Sequence, residues 1–189
     1  MRRPTIIALA LLCALALGAC GTKEHRILHG GTEGVYLDLG PEGIEPVKYQ
    51  VQISRVLNPA DPEDKAYLVG LPGDQSRLPA GQEWFAVFVR AQNEASTAQQ
   101  AASDYTITDT QGTKFRPVQF GPENVFAYRG GRIGPHGVIP VPDSPPAETT
   151  IQGSLLLFRI PTKNLENRPL ELAIRAPGIP DVATVDLDV

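Results

Sequence analysis

In Val47-Lys48-Tyr49-Gln50-Val51-Gln52-Ile53-Ser54, apolar and polar residues alternate through all eight positions. Successive side chains of a strand point to opposite faces, so the run predicts a strand with one face on a core and the other in water. Glu83 to Arg90 is apolar on both faces through its middle, which predicts a central strand covered on each side. Leu155-Leu156-Leu157-Phe158-Arg159-Ile160 repeats that pattern. Tyr105 to Thr108, the turn Asp109-Thr110-Gln111-Gly112 and then Lys114 to Val118 give a hairpin signal, with Gly112 able to take the positive φ that the return needs. Leu170, Leu172 and Ile174 alternate with Glu171, Ala173 and Arg175, and Val185, Leu187 and Val189 with Asp186 and Asp188. No segment carries a long 3.6-residue apolar stripe, and 18 Pro and 18 Gly punctuate nearly every interval. The chain therefore reads as all-β, an antiparallel β-sandwich of seven to nine strands. Helix is confined to single turns at 62–67 and 162–167.

The amino end has a different composition. Arg2 and Arg3 precede an uncharged run from Ile6 to Leu17, too short to span a bilayer, which takes roughly 20 residues. Its close, Leu17-Gly18-Ala19-Cys20, resembles the lipobox of bacterial lipoproteins. The resemblance implies a signal peptide over 1–19 that is removed, a diacylglyceryl thioether on Cys20, and a protein held on the extracytoplasmic face of the cell membrane. An ordinary secretory cleavage site would place bulky Leu17 where a small residue is preferred. The polar stretch 20–33 reads as a flexible tether, and 34–189 as the sandwich domain. Some 13 tether residues span about 20 Å on average and about 45 Å fully extended.

Removal of the signal leaves 170 residues, enough for one domain with a sizeable core. It also leaves 15 basic residues against 21 acidic ones, a formal charge of about −6. That balance repels phosphate backbones and argues against a nucleic-acid partner. Cys13 departs with the signal and Cys20 is consumed by lipid, so stability rests on packing rather than on a disulfide.

The strand with Trp84-Phe85-Ala86-Val87-Phe88-Val89 followed by Asn93, the hairpin Asp109 to Phe115, and the late Gly153 to Pro161 resemble the order in a group of uncharacterised bacterial lipoproteins. Those proteins carry an immunoglobulin-like extracellular domain of unknown function after a lipobox. The resemblance covers about 47–189 and implies an immunoglobulin-like sandwich and an envelope location. It brings no catalytic or binding residues.

Candidate chemistry is sparse. His25 and His29 fall in the tether, and His136 lies in the turn Gly134-Pro135-His136-Gly137 without a nucleophile elbow anywhere in the chain. The histidine pair at a spacing of four lacks further ligands, and no cofactor or metal motif is present. Asn58-Pro59-Ala60-Asp61-Pro62-Glu63-Asp64 gathers carboxylates but lacks the alternating spacing of a calcium loop. It reads as a solvated turn in which Asp61 and Glu63 lead into a helical turn. The proline-rich segment 128–146 is long and mostly without strand periodicity, and such loops carry binding sites disproportionately often. Tyr128, Arg129 and Arg132, around Gly130-Gly131, are the candidate binding residues. The expectation is a noncatalytic module that binds an envelope protein, a cell-wall polymer or a small ligand. The alternative is a cell-envelope enzyme whose site is not recognisable from sequence.

Overall fold

A computed structural model describes residues 26–40, 43–73 and 76–187. The segment 1–19 expected to be a signal peptide, Cys20 and His25 lie outside the described residues, as does Val189. In chain order the strands are β1 (Ile27–His29), β2 (Tyr36–Leu39), β3 (Val47–Leu57), β4 (Gln82–Asn93), β5 (Gln99–Gln100), β6 (Asp104–Thr108), β7 (Lys114–Phe115), β8 (Arg132–Ile133), β9 (Val138–Ile139), β10 (Ser154–Pro161), β11 (Leu170–Arg175) and β12 (Val182–Leu187). Three short helices, α1 (Pro62–Tyr67), α2 (Pro145–Glu148) and α3 (Thr162–Leu165), complete the described residues. Seven strands of four or more residues carry the architecture, and the other five add two or three residues each.

One five-stranded sheet runs β1-β12-β11-β6-β7, a second runs β10-β4-β3-β2 with β9 beside β4, and β5 and β8 form a small two-stranded sheet. Between the two larger sheets lies a core that includes Tyr49, Phe85, Val87, Phe158, Leu172 and Ile174, all essentially inaccessible to solvent. Each such side chain contributes roughly 1.5–3 kcal/mol by leaving water. The protein is thus a β-sandwich, and among the described residues all strand pairings are antiparallel except the parallel pairing of β1 with β12.

The doubly apolar strands behave as their pattern requires. On β4, Phe85, Val87 and Val89 face the inter-sheet core, while Trp84, Ala86 and Phe88 face outward into a second cluster with Leu155 and Leu157 of β10. Helix α1 covers that outer cluster. Its Tyr67 meets Phe88 and Phe126 edge to face at centroid distances of 5.1 and 4.9 Å. Asp61 caps α1 by accepting from the amides of Glu63 and Asp64, and Pro62 opens its first turn.

The eight-residue alternation is interrupted where sequence alone predicts continuity. A β-bulge shifts the register between Val51 and Ile53, so the inserted residue inverts every side chain beyond it. Ile53 is consequently 37% exposed and Ser54 is buried. The inversion also carries Arg55 to the face where α1 lies. There its guanidinium donates to both carboxylate oxygens of Asp64, at 3.1 Å for Nη1 to Oδ2. Asp64 is therefore buried and ion-paired, and the acidic stretch is not wholly a solvated turn.

Two loop expectations also change. Ile27–His29, read as tether, forms β1, with Arg26 O accepting from Val182 N and Arg26 pairing with Asp181 at 3.0 Å. The segment 128–146 contains β8, β9 and α2, and it is tied down by Asn93. That fully buried amide donates to the carbonyls of Thr97, Ile133 and Gly134 and accepts from Ala95 N. A strand terminus with this staple needs no ladder of its own to hold the loop.

Candidate functional site

The side of the sandwich between β6 and β10 opens into a cleft of about 410 Å³. Its walls come from Tyr105 on β6, the run Pro117 to Phe120 after β7, the segment Ala127 to Gly131, and Leu155 and Leu156 of β10. The segment 124–128 is shaped by Asn124, whose buried amide donates to the carbonyls of Tyr67 and Val69 and accepts from the amides of Phe126 and Ala127. Ala127 then bridges Leu155 in parallel, with Tyr128 N donating to Leu155 O at 2.8 Å. This arrangement aligns Tyr128 and Arg129 along the cleft.

Three tyrosines meet at its inner end. The Tyr128 ring stands edge-on to Tyr105, with centroids 5.1 Å apart, and its hydroxyl donates to Ala102 O at 3.0 Å. Tyr49 Oη accepts from Ala102 N at 2.7 Å. Burial pushes the Tyr49 hydroxyl up to about 12, against the Ala102 amide, which favours its ionised form. Burial raises Tyr128 and Tyr105 as well, so all three stay protonated at neutral pH. Tyr105 is only 2% exposed, and its hydroxyl, which makes no hydrogen bond of standard geometry, lies beside that of Tyr128.

Arg129 contributes the one formal charge on the cleft wall. Its Nη2 donates to Gly121 O and, at 3.4 Å, to Asn124 O, and Arg129 has no ion-pair partner among the described residues. The lining residues include no carboxylate, imidazole or thiol. The arrangement can therefore hold a ligand by hydrogen bonding, charge and apolar contact, but it sets no general acid beside a general base.

The structure brings two of the three candidate binding residues together. Arg132 is exposed on β8, paired with Gln100, and does not line the cleft. Sequence reasoning found neither Tyr105 nor Asn124. Tyr105 reads as an ordinary hairpin-strand residue, and only the register that turns it inward against Tyr128 distinguishes it. His136 sits exposed in its turn at φ 53°, its amide on Ala95 O at 3.2 Å. Among the described residues no group of three or more His, Cys, Asp or Glu is placed to hold a metal. A larger open groove of about 680 Å³ crosses the outer face of the β1-containing sheet. Its walls combine Ile27, Ala173 and Val182 with threonines and charged residues such as Arg116, which is paired with Asp104 at 3.0 Å, and among the described residues it has no unpartnered buried polar side chain.

No family model matches the chain, and no curated protein does. Among solved structures, the chain is similar to the yjhA protein from Bacillus subtilis, with a TM-score of 0.52, 14% identity, and coverage of 84% of this chain and 99% of that one. A likeness of this order shows a common fold. An uncharacterised β-sandwich protein from Clostridium difficile 630 aligns with a TM-score of 0.45 and 10% identity, covering 88% of this chain and 98% of that one.

Proposed function

We propose that the chain is an extracytoplasmic lipoprotein, anchored through Cys20, whose β-sandwich binds an envelope partner or ligand without transforming it. The anchor rests on the coincidence of the uncharged run 6–17 with Leu17-Gly18-Ala19-Cys20. The binding role rests on one observation: a cleft that joins Tyr128 and Arg129 while its lining carries no acid–base pair. The resemblance to lipoproteins with immunoglobulin-like extracellular domains supports the same location.

Cys20→Ser is expected to abolish fatty-acid labelling and to release the protein from the membrane fraction; unchanged retention and mass would sink the anchor. A photocrosslinking residue at Ser103, on the cleft rim, is expected to capture a partner in intact cells. Arg129→Ala should weaken that capture while the melting curve stays in place, and Arg132→Ala should leave it unchanged. Capture indifferent to Arg129 refutes the cleft assignment. A turnover on a cell-wall or lipid substrate that is lost in His136→Ala would favour an enzyme instead.

A further inference from the structure

Resting on the cleft as the binding site, we propose that its ligand is a carboxylate carried on a compact apolar group. The walls divide accordingly. Val118, Phe120, Leu155, Leu156 and the Tyr128 ring are apolar, while Gln100, Ser103, Gln119 and Arg129 bring hydrogen-bonding side chains.

Arg129 is already oriented. Both of its recorded hydrogen bonds run from Nη2 to the carbonyls of Gly121 and Asn124, which fixes the guanidinium plane and leaves the Nη1 and Nε donors uncommitted. A guanidinium offers paired parallel donors to a carboxylate, and a pre-oriented one loses less side-chain entropy on binding. Among the described residues Arg129 makes no ion pair; the Glu123 carboxylate lies over Gly121 without pairing with it. The chain carries a net negative charge, so this unpaired cation in an acid-free cleft selects an anion locally against the field of the whole molecule.

Tyr105 packs against the Tyr128 ring and extends the apolar part of the wall. Its buried hydroxyl lies beside that of Tyr128 and is closed to solvent, so Tyr105 offers a ligand its ring rather than a hydrogen bond. The volume of about 410 Å³ lies low in the range of roughly 300–1,000 Å³ for small-ligand sites. It suits a small organic acid or the last one or two residues of a peptide, two sources of the same chemistry.

The test uses the full lipidated chain in detergent, titrated with N-acetyl-phenylalanine and with N-acetyl-alanyl-alanine, each against its carboxamide, and read by calorimetry. The acids are expected to bind about tenfold more tightly than the amides, and Arg129→Gln to erase that preference at an unchanged melting temperature. Tyr105→Phe, which keeps the ring and removes only a buried hydroxyl, should leave the preference for acids intact. Preference for the single residue identifies a small acid as the source, and preference for the dipeptide a peptide terminus. Equal affinity for acids and amides, or no acid binding at millimolar concentration, overturns the ligand class. In-cell capture through Ser103 that still depends on Arg129 would then leave the binding-module reading standing, and its loss as well would remove both.

Discussion

Asn164 donates its side-chain amide to the carboxylate of Asp109 at 2.8 Å, joining the β6–β7 turn to the helix that follows β10. Asn167 adds a second donor at 3.0 Å, and the amides of Gln111 and Thr113 complete the shell. Asn164 foremost, then Asn167 and the two amides, hold the Asp109 carboxyl far below its ordinary value of 3.8, against the opposing effect of desolvation. A depressed carboxyl contributes stability that is complete above the unfolded-state value and is lost as pH falls through the folded one. Wild-type melting temperature should therefore decline below about pH 4. Asp109→Asn, which sets an NH2 group against two other amide donors, should melt lower at neutral pH and show a smaller decline on acidification. Parallel pH profiles for the two proteins would refute this linkage.

The Arg55–Asp64 pair ties the bulged strand to α1. Burial disfavours the charged Asp64, but hydrogen bonds from Arg55 and from Asn58 N, the latter at 2.7 Å, outweigh it and leave its pKa lowered. Removing one partner of a fully buried pair costs roughly 3–5 kcal/mol. The Arg55 side chain is 33% exposed, so Arg55→Ala should cost less, about 2 kcal/mol by denaturant midpoint. The double change with Asp64→Ala should cost less than the sum of the two single changes. Additive costs would mean that the pair contributes nothing.

Because Asp61 is committed to the α1 cap and Asp64 to Arg55, the acidic stretch has little left to offer a hard cation. Millimolar calcium should leave the melting temperature within about a degree of its value in chelator. A rise of several degrees that disappears in Asp61→Asn with Asp64→Asn would show the opposite.

Asn124 is the hinge on which the cleft wall depends. Asn124→Ala strands two carbonyls and two amides, and should cost about 2–4 kcal/mol while increasing hydrogen exchange at the amides of Phe126, Ala127 and Tyr128. Unchanged exchange there would mean that the bridge to Leu155 alone shapes the wall.

The features legible in the sequence are those written by local pattern. Apolarity on both faces of β4 and β10 announced their double cover, and Asp61-Pro62 marked the start of α1 because a cap and a first-turn proline are local signals. The bulge at Val51/Ile53 was not legible, since an uninterrupted alternation gives no sign that a partner strand omits a residue. The order within 128–146 was equally hidden: it comes from Asn93, some forty residues away in sequence, reaching the carbonyls of Ile133 and Gly134. For the site, Tyr128 and Arg129 stood out by composition, whereas Tyr105 acquires meaning only when β6 pairs with β11 and turns its ring inward.

The parallel docking of β1 shortens the leash. With Arg26 already fixed to Val182 and Asp181, five residues separate it from Cys20, and five or six residues reach about 20 Å at most. A domain of this length is about 40 Å across. A lipid on Cys20 would therefore leave the sandwich no room to turn over, and would hold the end bearing Arg26 and Asp181 toward the bilayer. Tyr105 lies on the rung Leu28–Ala183–Ile174–Tyr105, near that end. The cleft would then sample a layer close to the membrane plane, so its encounters would be governed by lateral diffusion in two dimensions more than by concentration in the surrounding volume.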